Sequence, residues 1–108
     1  MLFKSVNQVN GDSTRYGLSP AVKVYTLRDV GFTQSNAGDF VMKHPLGTNH
    51  APKLKIVVQP DLKQFKMDII DNQGFRKVNI FDGKHPVNVK QFRYLIMTLI
   101  LRKVLQRE

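Results

Sequence analysis

The sequence predicts an α+β fold: antiparallel β-sheets, a hairpin plus a three-stranded meander, packed on one long C-terminal helix. Three observations carry this. Between Leu54 and Ile80, apolar and charged residues alternate in short runs separated by turn residues, the period of half-buried strands. From about Val87 to Leu105 there is no Gly or Pro, and apolar residues recur at helical spacing. The chain has 108 residues, 42% of them hydrophobic and 23% charged. A chain of that length buries roughly two thirds of its unfolded surface in one core, so residues 1–108 read as a single domain, and the composition argues against disorder.

Taken in order, Phe3 to Val9 reads as an edge strand, and Asn10-Gly11-Asp12-Ser13 as a turn, because Asn and Gly accept positive φ. Ser19-Pro20 has the form of a helix start, Ser as N-cap and Pro in the first turn. Gly31 suits a left-handed C-terminal cap, with Phe32 folding back. A short helix over 20–30 follows, although Val22, Val24, Tyr25 and Thr26 favour strand. Phe32–Ser35 and Phe40–Lys43 flank Asn36-Ala37-Gly38-Asp39 as a hairpin, and 44–52, bracketed by prolines, is the longest loop. The meander is Leu54–Gln59, then Phe65, Met67 and Ile69 alternating with Lys66 and Asp68, then Arg76, Val78 and Ile80 alternating with Lys77 and Asn79.

On the last helix Phe92, Leu95, Ile96 and Leu99 share one face, the core stripe. Tyr94, Met97, Leu101 and Val104 form a second apolar stripe roughly opposite. A helix lying on one sheet should be polar there. The preferred explanation is a sandwiched helix, its second stripe covered by the N-terminal strand or the 20–30 segment. The alternative is an interface, for a homodimer or for another protein.

Composition excludes several function classes. There is no Cys, hence no disulfide scaffold, thiolate nucleophile or thiolate metal site. No apolar run reaches the roughly 18 residues that span a bilayer, and MLFKSVNQVNGDS lacks the apolar stretch of a secretory leader. No membrane association and a cytoplasmic location are therefore expected. Lys and Arg number 17 against 8 Asp and Glu, a net charge of +9, which attracts anionic partners without specifying one.

The segments Gly11-Asp12-Ser13 through Tyr16, Leu18-Ser19-Pro20 with Tyr25-Thr26-Leu27-Arg28-Asp29 and Gly31-Phe32, Leu54-Lys55-Ile56, Asp61-Leu62-Lys63 with Phe65-Lys66-Met67, and Val78-Asn79-Ile80-Phe81 resemble a family of small cytosolic proteins of Gram-positive bacteria classed as a domain of unknown function. The resemblance covers nearly the whole chain. It implies sheets packed on one main helix, a distant structural likeness to prokaryotic S-adenosylmethionine decarboxylases, and a role in amino-acid metabolism. It supplies no catalytic residues. The decarboxylases generate a pyruvoyl group at an internal Glu-Ser bond and use a Cys as proton donor. Here the only Glu is Glu108 and Cys is absent, so that chemistry is not expected, whatever the fold.

His44 and His50 in the long loop are candidate site residues, with His85 the third histidine. Their spacing matches no metal motif, and surface histidines are the preferred reading, with no metal expected. Asp12, Asp29, Asp39, Asp71 and Asp82 all fall in turns or caps, where Asp bonds the local backbone. Asp68 lies mid-strand, placed to balance lysines across strands. Lys53, Lys55, Lys66 and Lys77 can share the outer face of the meander, a surface able to track a phosphate backbone. Base stacking needs aromatic rings as well, and only Phe81 is in register. No GxGxxG, P-loop or GxSxG occurs. The expected function is non-catalytic and cofactor-free: binding of a small metabolite or a protein partner in amino-acid metabolism. The alternative is weak, non-specific nucleic-acid binding by the basic sheet face.

Overall fold

The computed structural model describes residues 3–108; Met1 and Leu2, part of the stretch read above for a leader, lie outside the described residues. The chain runs β1 (Val6–Asn7), β2 (Tyr16–Leu18), α1 (Val24–Asp29), β3 (Thr33–Gln34), β4 (Phe40–Pro45), β5 (Lys53–Val58), β6 (Phe65–Ile70), α2 (Pro86–Leu101) and β7 (Leu105–Arg107). Two antiparallel sheets form, one ordered β1-β2-β7 and one ordered β3-β4-β5-β6. The expected α+β class holds, with sheets packed on the long C-terminal helix.

The core follows from strand parity. Leu54, Ile56 and Val58 of β5 and Phe65, Met67 and Ile69 of β6 are buried. They belong to one cluster with Phe92, Ile96 and Leu99 of α2, three of the four residues predicted for the core stripe. The fourth, Leu95, is half-buried. The 32–35 and 40–43 hairpin joins the same sheet as β5 and β6, so hairpin and meander are one layer.

Four expectations are corrected. The first strand is only Val6–Asn7, with an isolated bridge from Lys4 to Phe65. The third meander strand is reduced to one bridge, Ile70 to Lys77. The 20–30 helix shrinks to Val24–Asp29. Ser19 does not cap it; its Oγ accepts from Ala21 N–H at 3.2 Å and its carbonyl from Val22 N–H at 3.1 Å, closing a local turn. The β-branched Val22 and Val24 oppose helix nucleation there.

The fourth correction concerns the end of α2, four residues earlier than the sequence predicts. Both helices stop in the same way. Gly31, at φ +108°, donates to Arg28 O while Phe32 N–H reaches Leu27 O at 2.9 Å. Lys103, at φ +60°, donates to Ile100 O while Val104 N–H reaches Leu99 O at 2.9 Å. This is the Schellman arrangement, in which the left-handed residue lets two orphan carbonyls be satisfied. The Gly signal at 31 was legible; a Lys in the left-handed region carries no signal. The turn frees Leu105–Arg107 to pair with Tyr16–Leu18. A left-handed L-residue costs about 1–2 kcal/mol, partly offset in a Gly variant by unfolded-chain entropy of about 0.4–1 kcal/mol. Lys103→Gly is therefore expected to stabilise the protein by about 0.5–1 kcal/mol in urea denaturation; a destabilised variant would contradict this account of the turn.

The second apolar stripe is not sandwiched. Tyr94 is 74% exposed, Met97 43% and Leu101 72%, whereas Val104 is fully buried. Val104 therefore leaves the candidate interface, because the turn at Lys103 rotates it under the helix end against Leu99. No helix among the described residues is long and apolar enough to cross a membrane.

Candidate functional site

β6 is the last strand of the larger sheet. Phe65 exchanges both of its backbone hydrogen bonds with Lys4, at 3.0 and 2.9 Å, and the carbonyl of Ile69 accepts from Val78 N–H at 2.8 Å. In an antiparallel ladder, alternate residues direct N–H and C=O to the same side. Met67 lies between Phe65 and Ile69, so its backbone polar groups face that same open edge. Asn7 holds the N-terminal hairpin against the edge: its Nδ2 donates to Phe65 O at 2.8 Å and to Lys4 O at 3.4 Å.

A cleft of about 580 Å³ opens here, with Lys4, Asn7, Arg15, Met67, Asp68 and Lys77 among its lining residues. Lys4 and Arg15 are exposed and line the cleft from the two arms of the β1–β2 hairpin. Asp68 is the cleft's one carboxylate. Lys77 Nζ stands 3.7 Å from its Oδ1. Burial nevertheless pushes the Asp68 carboxyl above the usual range, against the opposing pull of Lys77 and Lys66. Because the folded pKa is raised, the protonated acid stabilises the fold at low pH, and that stabilisation is lost as pH rises through the folded value. Asp68→Asn is therefore expected to raise the melting temperature at pH 7, with the gain vanishing below about pH 4. Melting curves at the two pH values check this; a gain that grows on acidification would refute it.

The predicted basic face is present in part. Lys53 and Lys55 on β5 and Lys66 on β6 share the outer face by register, Lys55 directly opposite Asp68. Lys55, Lys66 and Lys77 line a smaller depression of about 180 Å³ with Asp68 at its wall. Lys66 lies 4.5 Å from the Phe3 ring centroid. Phe81 is not on this face: it sits edge-on to Phe92, ring centroids 5.6 Å apart, under the Arg93 guanidinium. The aromatic platform expected of a strand-binding sheet is therefore not supplied by Phe81.

The histidines go to separate places. His44 lies within β4, which runs on to Pro45, instead of in the loop, its Nδ1 2.9 Å from Pro45 O. His50 remains in the loop, 3.1 Å from Asn72 Nδ2. His85 lies 3.8 Å from Asp82. No group of three metal-ligating side chains occurs among the described residues.

One cluster escaped the sequence reading. Asp12, assigned there to a turn, has a completely buried side chain. Arg93 Nη2 donates to its Oδ1 at 2.8 Å and Nη1 to its Oδ2 at 3.1 Å, a bidentate pair. Nη1 also donates to the Tyr16 hydroxyl at 3.0 Å. This bond to Asp12 holds the Arg93 pKa above its ordinary value, and burial does the same for Tyr16. The partners lie 81 residues apart, beyond any local pattern. Gly11, at φ +87°, packs against Asn79: a Cβ there would stand 2.1 Å from Asn79 Oδ1. The Gly11-Asp12 pair thus docks the hairpin on α2 and the 78–81 segment, a structural role.

Fold and cleft together describe a small α+β protein whose sheet edge offers both signs of charge and backbone polar groups. The chain belongs to the DUF1831 family, whose model matches residues 1–106 and whose description reads "Putative amino acid metabolism". A solved DUF1831 family protein from Lactobacillus plantarum superposes with a TM-score of 0.94 at 36% identity, over 100% of this chain and 99% of that one. No curated protein matches. The resemblance read from the sequence thus holds as to family; neither match is to an S-adenosylmethionine decarboxylase.

Proposed function

We propose that this protein is a non-catalytic binding or accessory protein of amino-acid metabolism, holding a small metabolite by its carboxylate or other anionic group at the edge of β6. The observation that carries the reading is the cleft of about 580 Å³ in which Lys4, Arg15 and Lys77 outnumber the single carboxylate. That volume lies within the range of small-molecule sites. The family description supports the metabolic setting. The nucleic-acid alternative has less support, since Asp68 interrupts the lysine face and Phe81 lies off it.

Calorimetric titration of the full chain with small carboxylates and phosphates tests the proposal. Binding should weaken about tenfold in a Lys4→Ala/Arg15→Ala variant, which corresponds to about 1.4 kcal/mol. No binding by the parent, or equal binding by the variant, would overturn it. Steeply salt-dependent binding of an oligonucleotide that survives the same variant would favour the alternative.

A further inference from the structure

Resting on that reading, we infer that the cleft takes an α-amino acid as its zwitterion, the carboxylate held by Lys4 and Arg15 and the ammonium by Asp68. The cleft is not a plain anion site. A half-buried carboxylate in its wall would repel a phosphate or a dicarboxylate, so it counts against those ligands as much as the cations count for them. It is not a plain cation site either, because three exposed basic side chains, Lys4, Arg15 and Lys77, and a net charge of +9 oppose one.

The polar groups divide into two sets. The donors come from the lining residues Lys4 and Arg15 and from the Met67 N–H that strand parity turns to the edge. An arginine fork suits a carboxylate. The acceptors are Asp68 and the side-chain oxygen of Asn7. Asn7 spends its Nδ2 on two carbonyls, which orients its oxygen as an acceptor. Asp68 is paired with Lys77, Nζ 3.7 Å from its Oδ1, and Lys66 adds to the positive field on it. A carboxylate accepts up to about four, so Asp68 keeps acceptor capacity for an ammonium. Its raised pKa adds that ionisation here is poorly solvated, a cost that an arriving cation offsets. An α-amino acid is the smallest ligand carrying both charges, and Val6 in the same wall offers apolar surface to its side chain.

The experiment is a calorimetric screen of the twenty L-amino acids against the full chain, followed by the N-acetyl derivative and the amide of the tightest. Acetylation removes the ammonium and amidation the carboxylate, and each should weaken binding by about tenfold to a hundredfold. Asp68→Asn, checked by circular dichroism to be folded, should bind the parent amino acid and its N-acetyl form equally. Arg15→Gln should do the same for the parent and its amide. If the N-acetyl form and simple carboxylates bind as tightly as the amino acid, the ammonium pocket is wrong while the anion-binding function stands. If neither amino acids nor carboxylates nor phosphates bind, both fail together.

Discussion

Leu99→Asp is expected to abolish the cooperative fold. Leu99 is fully buried at the centre of the α2 core stripe, in one cluster with Phe92, Ile96 and the inner faces of β5 and β6. Its carbonyl also accepts from Val104 N–H in the turn that ends the helix. The substitution removes a side chain whose burial is worth about 1.5–3 kcal/mol and puts in its place an unpaired carboxylate, which adds several kcal/mol more unless it takes up a proton. A domain of this size has about 5–15 kcal/mol in total. Circular dichroism at neutral pH should show no cooperative melt. A transition like that of the parent would mean that α2 does not pack through this face. Leu99→Ala should remain folded, with a loss of about 2–5 kcal/mol.

Arg93→Ala is expected to cost about 3 kcal/mol, the lower end of the range for stranding one partner of a buried ion pair. Asp12 keeps a buried carboxylate with its bidentate partner gone, and Tyr16 loses the donor to its hydroxyl. The cost sits at the low end because the Arg93 side chain is 42% exposed, so water reaches the site once the guanidinium leaves. Arg93→Lys should recover only part, since an ammonium cannot fork across both oxygens. The double variant Arg93→Ala/Asp12→Asn should be more stable than Arg93→Ala alone, because the stranded charge is removed with its partner. Urea denaturation of the set decides. An Arg93→Ala loss below about 0.5 kcal/mol would show that the pair does not anchor the hairpin to α2.

The exposed stripe of Tyr94, Met97 and Leu101 stands open in the chain as described. Neither the N-terminal strand nor the 20–30 segment, the two expected covers, lies over it. In the fold β1 pairs with β2 and bridges to β6 instead, and α1 is too short to lie along α2. Arg102 and Asp29, 3.5 Å apart, link α1 to the last turn of α2.

Short-range patterns in the amino-acid order were enough for part of this fold. Alternation placed Leu54, Ile56, Phe65, Met67 and Ile69 inward; helical spacing placed Phe92, Ile96 and Leu99; Gly31 ended α1; and the motif set pointed to the family. Each is a local rule, in which a side chain's period or a glycine's freedom at positive φ acts within a few residues. The remaining features join residues far apart in the chain and emerge only from long-range packing. Lys103 adopts the left-handed turn because burying Val104 and pairing β7 with β2 outweigh its local cost. Asp12 meets Arg93 because the hairpin docks on α2. Lys4, Arg15 and Asp68 line one cleft because the same hairpin bridges the edge of β6. Loop closure over such distances is favoured only by the contacts it makes, and those contacts exist only once the sheets and α2 have formed one core.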